Sequence, residues 1–205
     1  MQKINKIAGV DEVGRGCLAG PVFAAAVILN NGIDTKNIKD SKKISFNKRI
    51  EICEYIKQNS IYALGSASVE EINKINILNA SLLSMKRALS KLKLKPTMAY
   101  IDGPFAPNLK MKYKTFIKGD EKITCIAAAS IIAKVSRDLF MIKLSNQFPK
   151  YSWHKNFGYG TKDHLCGLKK YGITKHHRKK FKPIHNILFR STRETLYDSF
   201  FIIKV

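Results

Sequence analysis

Three acidic side chains in this 205-residue chain stand where acids are costly. Asp11 and Glu12 directly follow the apolar run Ile7-Ala8-Gly9-Val10, and Asp102 directly follows Ala99-Tyr100-Ile101. Burying an unpaired carboxylate at the end of a core strand costs on the order of several kcal/mol unless a cation, a cap or a metal meets it. Asp120, just after Gly119 and just before a long apolar-periodic stretch, is either a fourth member of such a group or the N-cap of the helix it precedes. Asp138 lies four residues beyond Lys134, the spacing of an ordinary helical ion pair. Neighbouring strand residues face opposite sides, so Asp11 and Glu12 share one site only if the backbone twists, which Gly14 and Gly16 permit. Convergent carboxylates with no His or Cys nearby suit hard ions, Mg²⁺ or Mn²⁺, better than zinc. Two such ions roughly 3.5–4 Å apart can activate a water and stabilise the leaving oxygen of an in-line displacement. Beside nucleic acid, that chemistry is phosphodiester hydrolysis.

The charge balance names the partner. Thirty-seven Lys and Arg against fifteen Asp and Glu give a formal +22, which favours a polyanion, although a basic proteome or a membrane surface would also account for it. With 45% hydrophobic and 25% charged residues and only 18 Gly plus Pro, the chain is neither disordered nor collagenous. Cys17, Cys53, Cys125 and Cys166 are widely spaced with no CxxC pair, which argues against a zinc ribbon or disulfide framework and for reduced thiols in a cytoplasmic setting. Neither a signal peptide nor a membrane span is expected.

The elements that must position the acids read as an α/β domain. Strands are expected at residues 7–10, 22–29, 61–68, 98–101 and 113–117. Helices are expected from a Ser45 cap to about Gln58, over 69–94, over 123–147, over 162–171 and near 192–200. On the 123–147 helix the apolar stripe leaves Ser130, Lys134 and Arg137 on another face. From Trp153 onward Lys, His, Tyr and Gly dominate, so the chain is divided into a domain over 1–150 and a basic helical, substrate-binding extension over 151–205.

Gly9-Val10-Asp11-Glu12-Val13-Gly14-Arg15-Gly16 and the following Leu18-Ala19-Gly20-Pro21-Val22 resemble the signature of ribonuclease HII, the type 2 ribonuclease H. The likeness continues in family order through Asp40-Ser41-Lys42-Lys43, Ile75-Asn76-Ile77-Leu78, Ile101-Asp102-Gly103, Lys118-Gly119-Asp120, the segment 127–138, Gly158-Tyr159-Gly160-Thr161 and His177-Arg178. The resemblance implies a ribonuclease H-like fold, a mixed five-stranded sheet flanked by helices with a C-terminal helical extension. It also implies an endonuclease that cuts the RNA strand of RNA/DNA hybrids and incises duplex DNA 5′ of an embedded ribonucleotide, leaving 3′-hydroxyl and 5′-phosphate ends. By position, the family's metal-binding acids fall on Asp11, Glu12, Asp102 and Asp120, holding two divalent ions during catalysis.

Substrate-reading residues follow from the same likeness and from local chemistry. Only a 2′-hydroxyl distinguishes a ribose in DNA, so its reader needs peptide groups close to the sugar, which the turn Gly14-Arg15-Gly16 offers. Tyr159 resembles the family tyrosine that packs on the deoxyribose after the ribonucleotide; by itself it reads as a surface aromatic. Ser41, Lys42 and Lys43, and His177, Arg178, Lys179 and Lys180, are candidate phosphate contacts. Lys180 stands where the family usually has Ser, which leaves its role open. The tail from Glu194 to Phe201 distantly resembles a sliding-clamp motif, with Glu194 where Gln is usual; a terminal helix docking Phe200 and Phe201 on the core is the better reading. A monomer suffices. A different nuclease or resolvase on the same fold, or a silent nucleic-acid binder, are the rival functions, since a fold does not fix chemistry.

Overall fold

Continuous apolar runs with no polar alternation are the mark of strands buried on both faces, and the two central strands are built so. β1 (Ile7–Val13) and β2 (Val22–Leu29) pair antiparallel, with Val10 opposite Ala26 and Glu12 opposite Ala24. The computed structural model of the chain describes residues 6–36, 38 and 45–189. Ser41, Lys42 and Lys43, the expected helix near 192–200 and the tail with its paired phenylalanines lie outside the described residues.

β3 (Ser60–Ala67) pairs antiparallel with β2, while β4 (Met98–Asp102) and β5 (Lys112–Phe116) add in parallel on the other side of β1. The order is β3-β2-β1-β4-β5, the mixed five-stranded sheet of a ribonuclease H-like fold. α1 (Phe46–Gln58) is capped by Ser45, whose hydroxyl accepts from the Lys48 amide. Together with α4 (Thr124–Gln147) it buries one sheet face, around Ala25, Val27, Ile52, Ile56, Ala128 and Ile132. α2 (Val69–Ser90) covers the other, around Val10, Ala24, Ala26, Met85, Leu89 and Ile101.

The helix expected over 69–94 is shorter and broken. Asn76 has a φ of 68° and a ψ of 170°, and its side-chain oxygen accepts from the Asn79 amide, so it caps a second helical segment inside α2. Asn tolerates this left-handed φ better than most residues, which an apolar-stripe reading does not see. Another departure is α3 (Gly119–Lys122), a single turn with Lys118 at its N-cap in the left-handed region. Asp120 is therefore inside that turn and is not the cap of the long helix.

The chain forms two compact units. Residues up to Arg15 with Pro21–Phe140 make the first, which contains the whole sheet; Gly16–Gly20 with the residues from Met141 onward make the second. The second has its own core, including Leu18, Met141, Tyr151, Trp153, Leu168 and Ile184. After α4 it carries a 3₁₀ turn (Pro149–Tyr151), α5 (Trp153–Asn156), α6 (Lys162–Tyr171) and a helix α7 over 182–189.

α4 lies so close to β1 that a methyl group on Gly9 would overlap the backbone at Cys125 and Ile126. Backbone atoms cannot yield as a flexible side chain does. Gly9→Ala is expected to lower stability by roughly 1–3 kcal/mol or more, read as a lower urea midpoint at unchanged slope; an unchanged midpoint would show that α4 moves freely.

Candidate active site

β1 and β4 run in the same direction and stay paired as far as Val10 opposite Ile101, so both strands deliver their acids at one end of the sheet. Asp11 is 5% exposed, its carboxylate hydrogen-bonded by Ser130 on α4 and by the backbone N–H of Glu12 at 2.7 Å. Glu12 points elsewhere: its Oε1 accepts from Arg15 at 3.2 Å, and its side chain lines a cleft with Leu78, Ser81, Met85 and Asp102. The Gly119 amide donates to Asp102 Oδ1 at 2.6 Å, which ties α3, and Asp120 within it, to the end of β4.

Asp11 and Glu12 both lie within the regular pairing of β1 with β2, Asp11 opposite Ala25 and Glu12 opposite Ala24. β1 remains paired to β2 through Val13 opposite Phe23, and the turn with positive φ comes only at Gly14. Although their side chains leave the strand on opposite faces, the two acids are electrostatically coupled. Gly14 is required there for a second reason: a methyl group on it would overlap the Arg137 guanidinium, whose Nε donates to the Pro21 carbonyl.

Burial, followed by the charge on Glu12, holds the Asp11 carboxyl well above the usual carboxylate range, with Asp102 adding to the effect. Burial also raises Glu12, against the lowering by Arg15. Glu12 Oε2 is buried with no hydrogen-bond partner. Asp11, Glu12 and Asp102 are thus electrostatically coupled, and Glu12 and Asp102 line the cleft. Among the described residues, no three His, Cys, Asp or Glu side chains are gathered tightly enough to ligate one ion.

The second unit holds Tyr159. Phe157 and Gly158 both take left-handed φ, of 50° and 86°, and turn the chain so that Tyr159 is 38% exposed. A methyl group on Gly16 would meet the Tyr159 ring at 4.0 Å, so ring and glycine turn are neighbours. Gly158 O accepts from the Leu18 amide at 2.8 Å, which fixes the loop to the 16–20 segment.

Two expected phosphate contacts are not at the surface. His177 and Arg178 are both fully buried. Arg178 Nε donates to Gly20 O at 3.0 Å and its amide to Leu18 O at 2.9 Å, while His177 bridges to Ala19 and packs edge-on against Tyr151 and tilted against Trp153. They hold the 16–20 segment in shape. Lys179 and Lys180 are the exposed basic pair of that stretch.

The family model for ribonuclease HII matches residues 8–186. The chain belongs to the ribonuclease HII family. It is 62% identical over 183 residues to a ribonuclease HII of Pelagibacter ubique, covering 89% of this chain and 98% of that one. Among solved structures, the ribonuclease H2 of Pyrococcus horikoshii superposes with a TM-score of 0.76 at 24% identity, covering 90% and 98% of the two chains. Ribonuclease HII of Archaeoglobus fulgidus, solved in complex with PCNA, gives 0.71 at 27% identity, covering 88% and 96%. As a ribonuclease HII, the protein is an RNA–DNA hybrid endoribonuclease, which sets aside the resolvase and the silent binder.

Two groups in this ribonuclease HII escape a reading by residue type. Ser130 was separable from the core stripe of α4 by helical period, but only the fold aims it at Asp11. His164, fully buried behind Tyr159, follows its helix cap Thr161 by three residues and carries no chemical signature of its own.

Because the fold raises the Asp11 pKa, its charged form lowers stability near neutral pH. The stabilising contribution is full below the unfolded-state pKa and is lost as pH rises through the folded one. Asp11→Asn keeps the shape without the charge. In chelator at neutral pH it is expected to melt higher than the parent, by about 2–4 °C for each kcal/mol relieved, and a lower melting point would show that the charge is already compensated.

Proposed function

We propose that this ribonuclease HII hydrolyses the RNA strand of hybrids and incises duplex DNA 5′ of an embedded ribonucleotide, using two divalent ions held by Asp11, Glu12, Asp102 and Asp120. The observation that carries the reading is the group of coupled carboxylates: Asp11 and Glu12 have raised proton affinity, and among the described residues the buried Glu12 Oε2 has no hydrogen-bond partner, a setting that suits a cation. All four donors are hard oxygens, which fits Mg²⁺ or Mn²⁺. Ions bound there would activate water and neutralise charge on the scissile phosphate and leaving 3′-oxygen. The family's ribonucleotide-removal role in DNA repair, in the cytoplasm, is the matching cellular assignment.

The chain's own residues do the rest. Arg15 pairs with Glu12 and is half exposed, so its guanidinium is placed to bear on a backbone phosphate beside the acids. Ser130 fixes the rotamer of Asp11. Peptide groups of Gly14, Arg15 and Gly16 read the 2′-hydroxyl, a role that suits a turn with little side-chain bulk. Tyr159 packs on the sugar that follows and so registers the RNA-to-DNA junction. Ser41, Lys42 and Lys43, with the exposed Lys179 and Lys180, bear on backbone phosphates. His177 and Arg178 act on the substrate only through the segment they brace. Sliding-clamp contact would fall on residues 194–201, outside those described.

The deciding experiment is cleavage of an end-labelled duplex carrying one ribonucleotide, with and without Mg²⁺. Asp102→Asn is expected to cut this substrate roughly 100-fold more slowly or worse, because each lost metal ligand forfeits several kcal/mol of charge stabilisation. Its duplex affinity should be retained, and that affinity should fall steeply with salt in both proteins. Parent-like cutting by Asp102→Asn would defeat the metal reading, and a flat salt response would defeat the polyanion contact.

A further inference from the structure

Behind Tyr159 in the second unit, two fully buried histidines are wired together by hydrogen bonds that fix where every ring proton lies. Trp153 Nε1–H donates to His164 Nε2 at 3.1 Å, so His164 Nε2 carries no proton. The neutral ring must then be protonated at Nδ1, which lies 2.9 Å from the Tyr159 carbonyl and donates to it. The Thr174 amide donates to His177 Nδ1 at 2.9 Å, so His177 is protonated at Nε2, and that nitrogen stands 3.1 Å from His164 Nε2 as its second donor. Burial holds His177 down at about 3 and lowers His164, in keeping with two neutral rings of opposite tautomer.

We propose that His164 is a positioning residue for substrate discrimination: its Nδ1–H grips the Tyr159 carbonyl, and the Trp153–His164–His177 network locks the tautomer that makes the grip possible. This rests on the reading of Tyr159 as the junction sensor. The Tyr159 carbonyl has another donor, the Thr161 amide at 2.8 Å, which belongs to the same turn and moves with it. His164 reaches that carbonyl from outside the turn: it sits on α6, whose first turn Thr161 caps, and it packs edge-on against the stacked Tyr151 and Trp153 rings. An aromatic ring that reads a sugar by stacking works only if its backbone is held, since a misplacement of about 1 Å can cost on the order of 100-fold.

Two isosteric substitutions separate the two nitrogens of His164. Gln places its carbonyl oxygen near the Nε2 position and keeps an acceptor for Trp153, but has no donor for Tyr159. Asn places its amide nitrogen near the Nδ1 position and keeps that donor, but gives Trp153 no acceptor. Trp153 is the protein's sole tryptophan, so its emission reports the network directly. The functional readout is kcat/KM on a duplex with one ribonucleotide relative to a long hybrid, with Tyr159→Ala as reference, expected to lower that ratio about tenfold.

His164→Gln is expected to lower the ratio as Tyr159→Ala does, with Trp153 emission close to the parent's. His164→Asn is expected to keep the ratio within about twofold of the parent while Trp153 emission shifts. Equal loss in both variants, or a parent-like ratio in His164→Gln, overturns the proposal while Tyr159→Ala still shows its loss. A parent-like ratio in Tyr159→Ala overturns the Tyr159 reading itself. Should either variant fail to fold, nitrogen NMR of the parent protein decides: the ring reached from the Trp153 indole proton must be the neutral Nδ1–H tautomer and its histidine neighbour the Nε2–H tautomer, and any other pair overturns the lock.

Discussion

Like charges forced together at the end of two parallel strands are the constraint on which the first unit is built. Val10 opposite Ile101 is the last matched pair, so Asp11 and Asp102 follow side by side, with Glu12 one residue further. In water their repulsion would be small; inside a protein, where the effective dielectric is lower, it is several times larger. The apolar sheet faces behind them, sealed by α2 and α4, supply the cohesion that keeps the acids in place. The fold meets part of the cost locally, with a serine on Asp11, an arginine on Glu12 and an amide on Asp102, and leaves one Glu12 oxygen unmet.

Much of this was legible in the residues. Apolar runs that end abruptly in acids marked β1, β4 and the site, and glycine runs marked the turns. What the sequence could not convey was the facing of side chains near chain breaks in periodicity. Asn76 reads as one more helical residue, yet its side chain starts the segment of α2 whose Leu78, Ser81 and Met85 line the cleft. Asp120 lies in a one-turn helix too short to leave a periodic signal. The alternation of β1 places Asp11 and Glu12 on opposite faces, which is how they meet different partners, Ser130 for Asp11 and Arg15 for Glu12.

The basic residues carry the opposite lesson. A formal +22 suggests that every cluster of Lys, Arg and His meets phosphate, but Arg137 and Arg178 are fully buried and donate to the carbonyls of Pro21 and Gly20. Arginine is suited to such work, since its planar fork bonds backbone oxygens without losing charge. Each guanidinium shapes the glycine-rich stretch within its own unit, Arg137 beside Gly14 and Arg178 beside Gly20. Charge counting therefore overstates the phosphate-binding surface, and the exposed lysines are the better measure of it.

Histidines 164 and 177 show how a buried polar pair can specify geometry that apolar packing could not. Leucines in their place would fill the same volume at no desolvation cost, but would leave the Tyr159 carbonyl and the Trp153 indole N–H without these partners. With the histidines, each ring nitrogen has one role allowed by its neighbour, and reversing any one reverses the next. Two imidazoles whose protons are assigned by a backbone amide at one end and an indole at the other form a chain with a single consistent state. That uniqueness, more than its contribution to stability, is what holding one exposed aromatic ring in a fixed place requires.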